Sequence, residues 1–271
     1  MRKKITIILL LLISGTFCSI VPVHAQKTRT VKKSKAEASQ PLERRFGKAV
    51  IRVRQVRSGN YDVRGNLPDD AQIPFLAEKF FKALSILPSS FMERSRIRYV
   101  TFFDDLTLNK APAGGVASGD TIYLNTKFNA VTVYHELFHT FDPYLMNQNR
   151  KWLALNHKNF VYTGSDFLSV RSTKFRRKRR EDNLSTGRFN QDFVSRYAMS
   201  NDLEDRAETF AYMIGEGPRF LARTARSSVL QKKMDYIIGM TGKKRLLGKD
   251  FWDKHFRSGA SNDDAPADPE I

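Results

Sequence analysis

The sequence predicts an α+β fold: a small mixed sheet, an active-site helix and a mainly helical C-terminal half. Three observations lead there. Short β-branched and aromatic runs cluster before residue 125. The segment 129–141 reads as a helix and carries two histidines four apart. Beyond residue 200, apolar residues recur at helical spacing.

The chain opens with Arg2, Lys3 and Lys4, continues with an apolar run at 5–13, and reaches Val23-His24-Ala25 before Gln26. A charged start, a short apolar run and a small-residue site make residues 1–25 a secretory signal peptide. The expectation is a secreted or periplasmic protein, not integral to a membrane once that segment is cleaved. The single cysteine, Cys18, lies inside the segment, so the mature chain would form no disulfide. Residues 26–45 are basic and poor in apolar side chains and read as a flexible linker. Residues 258–271 are small, acidic and Pro-containing and read as a disordered tail. The folded domain is then 46–257, long enough to bury one substantial core.

Residues 49–54 (AVIRVR) alternate and predict a strand. Asp70 is placed to cap a helix running to Leu87, with Pro74 in its first turn and Phe75, Leu76, Phe80, Phe81 and Leu84 on its core side. Residues 97–103 (IRYVTFF) and 121–125 (TIYLN) predict strands, with turns at 113–115 and Gly119. Then comes the histidine segment, which Pro143 is expected to end. The aromatics at Trp152, Phe160 and Tyr162 either fill the core or line a cleft, the core being favoured. A helical pattern over 218–240 is expected to pack behind a helix at 202–214.

His135-Glu136-Leu137-Phe138-His139 is the H-E-x-x-H pattern of zinc metalloproteases. Histidines four apart on a helix lie on one face, a turn apart, so both imidazoles reach one metal ion. A glutamate directly after the first histidine is placed to take a proton from water activated at that metal. Val133, Leu137 and Phe141 form an apolar stripe on a different face.

Catalytic zinc takes three protein ligands and leaves a fourth position open. A histidine six residues past the motif is excluded, because position 145 is Leu. His157 and His255 sit in no ligand-like setting. An acidic helix supplies the alternative. Asp202 is placed as its cap, and Glu204 and Glu208 share a face four apart. Beside a dication, one ligates and the other accepts a hydrogen bond from a ligand histidine. The competing reading is a solvated acidic surface helix.

Two stretches, HELFHTFDPY at 135–144 and YAMSNDLEDRAETF at 197–210, resemble the catalytic domain of anthrax lethal factor and related gluzincin metallopeptidases. In that family a tyrosine precedes the glutamate ligand by seven positions and a second glutamate follows it by four. Here these are Tyr197, Glu204 and Glu208. The resemblance covers roughly 125–215 and implies a zincin-like fold. It further implies zinc held by His135, His139 and Glu204, with Glu136 as general base and then acid, and Tyr197 as donor to the oxyanion. Glu208, helped by Asp142, would steady a ligand histidine from behind. By fold analogy, the strand just before the metal helix is the edge along which a peptide pairs.

The net charge is +18, three units of it in Arg2, Lys3 and Lys4. The run Lys174-Phe175-Arg176-Arg177-Lys178-Arg179-Arg180 admits three readings: a solvated loop, a patch for anionic surfaces or substrates, or a processing site. Nucleic-acid modules are missing from the pattern, so no specific nucleic-acid partner is expected. The expected function is a secreted zinc metalloendopeptidase acting on peptide or protein substrates, with anionic cell-envelope polymers as further partners. The alternatives are an amidohydrolase acting on cell-wall peptides through the same ligands, and a non-catalytic envelope-binding protein on the same fold.

Overall fold

The computed structural model describes residues 49–50, 55–58, 61–95, 97–145, 149–164, 187 and 189–258. The expected signal peptide, the linker, the 174–180 basic run and the acidic tail past Ser258 lie outside the described residues.

Strands β1 (Ala49–Val50), β4 (Tyr99–Phe103), β8 (Thr121–Asn125) and β7 (Gly115–Ser118) form one sheet in the order β1-β4-β8-β7. The pairs β1–β4 and β4–β8 are parallel, and β7 returns antiparallel to β8. The expected mixed sheet is therefore present. Strands β2 (Gln55–Ser58), β3 (Tyr61–Arg64), β5 (Thr107–Leu108) and β6 (Ala111–Pro112) make a second, antiparallel sheet. Alternation decides what each face of the first sheet meets. Val100, Phe102, Ile122 and Leu124 join the main helical core. Phe103 and Tyr123 point the other way, into a smaller cluster with Val63, Leu106 and Val116.

The edge expectation is corrected here. The strand just before the helix of His135 and His139, β8, is paired on both sides, and among the described residues β7 is the outer strand. Antiparallel β7 runs into β8 through the turn at Gly119, whose φ of +63° suits glycine.

The first long helix, Ile73–Leu84, buries Leu76, Phe80, Phe81 and Leu84 as expected. Phe75 is 68% exposed, because it shares a face with Lys79 and Lys82, four and seven residues on. Asp70 is not the cap: it opens a short 3-10 turn, Asp70–Gln72, and Gln72 precedes the helix. The helix stops at Leu84, so Leu87 is buried from the connection that follows.

The histidine helix runs Ala130–Leu145. The Asn129 side chain accepts the Thr132 N–H at 2.9 Å and so caps it. Pro143 does not end it. Proline removes its own N–H from the ladder, but packing of the preceding turns, with Val133, Leu137 and Phe141 buried, carries the axis to Leu145.

The glutamate helix runs Asp202–Glu216. Its cap is Asn201, not Asp202: the Asn201 side chain accepts the N–H groups of Leu203 at 2.9 Å and Glu204 at 3.0 Å. Asp202 instead pairs with Arg206 at 2.8 Å. Gly217, at φ +51°, ends the helix. Pro218–Thr224, Ser228–Lys243 and Lys249–Arg257 follow as helices, and the first two pack on the glutamate helix as expected. Leu221 in the first of them is half exposed.

Among the described residues the histidine and glutamate helices make the most extensive helix pair. Phe138 and Phe210 meet with ring centroids 4.9 Å apart. A Cβ on Gly215 would fall 2.7 Å from Val131 Cγ2, so glycine permits the close approach. Arg206, fully buried, donates to both Asp142 oxygens, at 2.9 and 2.8 Å, and locks one helix to the other. On the far side, Asp205 accepts from Trp152 Nε1 at 3.0 Å, Tyr162 Oη at 2.6 Å and Lys233 Nζ at 3.0 Å. Burial pushes the Asp205 carboxyl up and the Lys233 ammonium down, and each charge holds the other in place. Trp152 thus belongs to the main core, and Phe160 and Tyr162 pack against that core.

Among the described residues, strands precede the histidine helix and only helices follow it, an α+β arrangement. No helix among them is long and apolar enough to cross a membrane.

Candidate metal centre

His135 and His139 sit one turn apart with ring centroids separated by 4.7 Å and planes near perpendicular. Their Nε2 atoms are 3.0 Å apart. Glu204 Oε2 lies 3.0 Å from His135 Nε2 and 3.3 Å from His139 Nε2. These three atoms converge as one group of possible metal ligands. The helix pairing puts them there: the histidines project from one helix and Glu204 from the first turn of the other.

Bond chemistry narrows what belongs between them. His135 Nδ1 lies 2.7 Å from Glu208 Oε1, a carboxylate that only accepts, so Nδ1 carries the proton and donates. In a neutral imidazole that leaves Nε2 as a lone pair. It faces another imidazole nitrogen and a carboxylate oxygen at contact distance. Acceptors so close need a proton or a cation among them. Burial draws the His135 pKa down, but hydrogen bonds to Glu204 and Glu208 and the charge of Glu136 outweigh it, holding the imidazole well above its ordinary value. Burial raises Glu204, yet the two imidazoles hold it well below the usual carboxylate range. The pocket is rich in negative charge and favours a cation.

Glu136 is buried, with Oε1 4.0 Å from His135 Nε2, and that burial raises its carboxyl pKa. A raised carboxylate is the stronger proton acceptor. Outer strand β7 touches it directly: a Cβ on Gly115 would fall 2.6 Å from Glu136 Cγ. Tyr197 belongs to a short 3-10 turn, Tyr197–Met199, is 44% exposed, and stands 5.8 Å from the His135 ring, centroid to centroid. Burial of its hydroxyl, then the charges of Glu204, Glu136 and Glu208, push its pKa up, so it stays a donor near neutrality.

The residues singled out from sequence thus gather around His135, with one exception. Asp142 does not reach a histidine: its carboxylate is engaged by Arg206, which ties the helices rather than a ring. Three contributors went unread. Gly115 carried a signal as part of a glycine turn, but its approach to Glu136 depends on strand pairing. Arg206 carried half a signal, four residues after Asp202. Ser195, whose hydroxyl donates to Glu208 Oε2 at 2.5 Å, carried none.

Comparison of the chain with family models, with curated proteins and with solved structures finds no match.

Proposed function

We propose that this chain is a secreted or periplasmic zinc-dependent endopeptidase of gluzincin type on a zincin-like fold. One observation carries the reading: the triangle of His135 Nε2, His139 Nε2 and Glu204 Oε2, with sides of 3.0, 3.0 and 3.3 Å, beside a buried glutamate. Zinc bonds of about 2.0–2.1 Å at tetrahedral angles separate their ligands by roughly 3.3 Å, so the donor set and its spacing fit zinc. When bound, zinc lowers the pKa of water to about 7 and polarises a carbonyl.

The protein's own groups do the rest. Glu136 takes the proton from the attacking water and delivers it to the leaving amine. The Tyr197 hydroxyl donates to the oxygen on which negative charge develops. Glu208 keeps the His135 ring oriented through Nδ1. Among the described residues β7 pairs with β8 alone, which leaves its other side to hydrogen-bond an extended peptide next to Glu136.

Two results test this. Treating the protein with 1,10-phenanthroline is expected to abolish cleavage of casein-like substrates, and added zinc to restore it. Cleavage that survives full zinc removal overturns the reading. A zinc-loaded protein that ignores peptides but opens cell-wall peptide amides moves the function to the amidohydrolase alternative.

Gly115→Ala is expected to lower the melting temperature as well as the activity, because the added Cβ would fall 2.6 Å from Cγ and 2.7 Å from Oε1 of the buried Glu136. Turnover should fall by on the order of 100-fold, since the displaced carboxylate is the proposed base. Wild-type kcat in this variant would remove Gly115 from the account.

A further inference from the structure

Ser195 lies two residues before Tyr197 and bonds in two directions. Its hydroxyl donates to Glu208 Oε2 at 2.5 Å and accepts the Ala198 N–H at 3.1 Å. The other Glu208 oxygen accepts from His135 Nδ1 at 2.7 Å. Ala198 is fully buried and shares the 3-10 turn of Tyr197. That turn is closed by the Ser200 N–H and hydroxyl, both donating to the Tyr197 carbonyl at 3.0 and 2.6 Å. An unbroken line of hydrogen bonds therefore runs from the tyrosine turn through Ser195 and Glu208 to the His135 ring.

We propose that Ser195 is a positioning residue that couples the Tyr197 turn to the metal ligand His135. The inference rests on the zinc-site reading above. Glu208 is a largely buried carboxylate with one oxygen given to each partner. A hydroxyl bonded to a carboxylate is a strong, short contact that fixes the rotation of the acid. Remove it and Oε2 loses this donor, the carboxylate turns to seek another, and the His135 ring loses its brace. The same deletion frees the Ala198 N–H and slackens the turn that carries Tyr197. Because the coupling is thermodynamic it works both ways: a metal that fixes His135 also orders the tyrosine turn.

The test is zinc affinity, measured by chelator competition on the full chain, with the visible spectrum of the cobalt-substituted protein as a second readout. Ser195→Ala is expected to bind zinc roughly 10- to 100-fold more weakly and to shift the cobalt bands. Ser195→Thr, which keeps the hydroxyl, is expected to restore both. Should the alanine variant not fold, Ser195→Cys carries the test, since it keeps the size and weakens the donor. Wild-type zinc affinity and cobalt bands in Ser195→Ala, or in Ser195→Cys, overturn the proposal and leave the zinc site standing. A wild-type chain that binds zinc but cuts nothing sinks the peptidase reading, while Ser195 is still judged by affinity. A wild-type chain that binds no zinc overturns both.

Discussion

Glu136→Gln is expected to hold zinc as the wild type does and to lose at least roughly 1,000-fold in kcat. The two halves of that result come from different atoms. Glu136 contributes no atom to the ligand triangle, whose corners are His135, His139 and Glu204. Glutamine keeps the shape of the side chain, so the packing of Gly115 against it survives. What disappears is the proton acceptor, in a buried setting that had made it more basic. Steady-state assays on a peptide substrate, alongside metal analysis of the same preparation, read both halves. An active Glu136→Gln would remove the base from the mechanism.

Arg206→Met is expected to cost about 3–5 kcal/mol of stability, because it strips the guanidinium from a buried Asp142 and strands that charge. The fall in melting temperature should be on the order of 10 °C. Arg206→Lys should recover little of it, since an ammonium cannot match the two parallel bonds to Asp142. Urea denaturation of the metal-free forms separates this loss from any change in metal binding. A midpoint equal to wild type would mean that the helices are held by their aromatic contacts alone.

The legible parts of this molecule are those written at short range. The histidine helix shows in the sequence because Val133, Leu137 and Phe141 repeat at four while His135 and His139 repeat on another face. The strands at 99–103 and 121–125 show because β-branched and aromatic residues crowd there. Glu204 and Glu208 show as a like-charged pair on one helix face, which a nearby cation would favour and a solvated acidic surface helix would merely tolerate. Helix ends were less legible. Asn201 and Asp202 are both good caps, and only the backbone angles of the folded chain choose between them. Pro143 is a strong stop signal that tertiary packing overrode.

Long-range partnerships outside the two motifs left no trace. Nothing in the spacing of Asp142 and Arg206, 64 residues apart, announces a bidentate bond. The outer position of β7 follows from a chain reversal at Gly119 and from which strand β8 already pairs with. The serine that braces Glu208 has no period to betray it, because a hydroxyl works through direction rather than through burial.

Elemental analysis of the purified, dialysed protein beside Glu204→Ala tests most directly whether His135, His139 and Glu204 hold one metal together. About one zinc per chain is expected in the wild type, and its loss in the variant. A folded wild type that holds no zinc, or a Glu204→Ala variant that keeps it fully, would contradict the account.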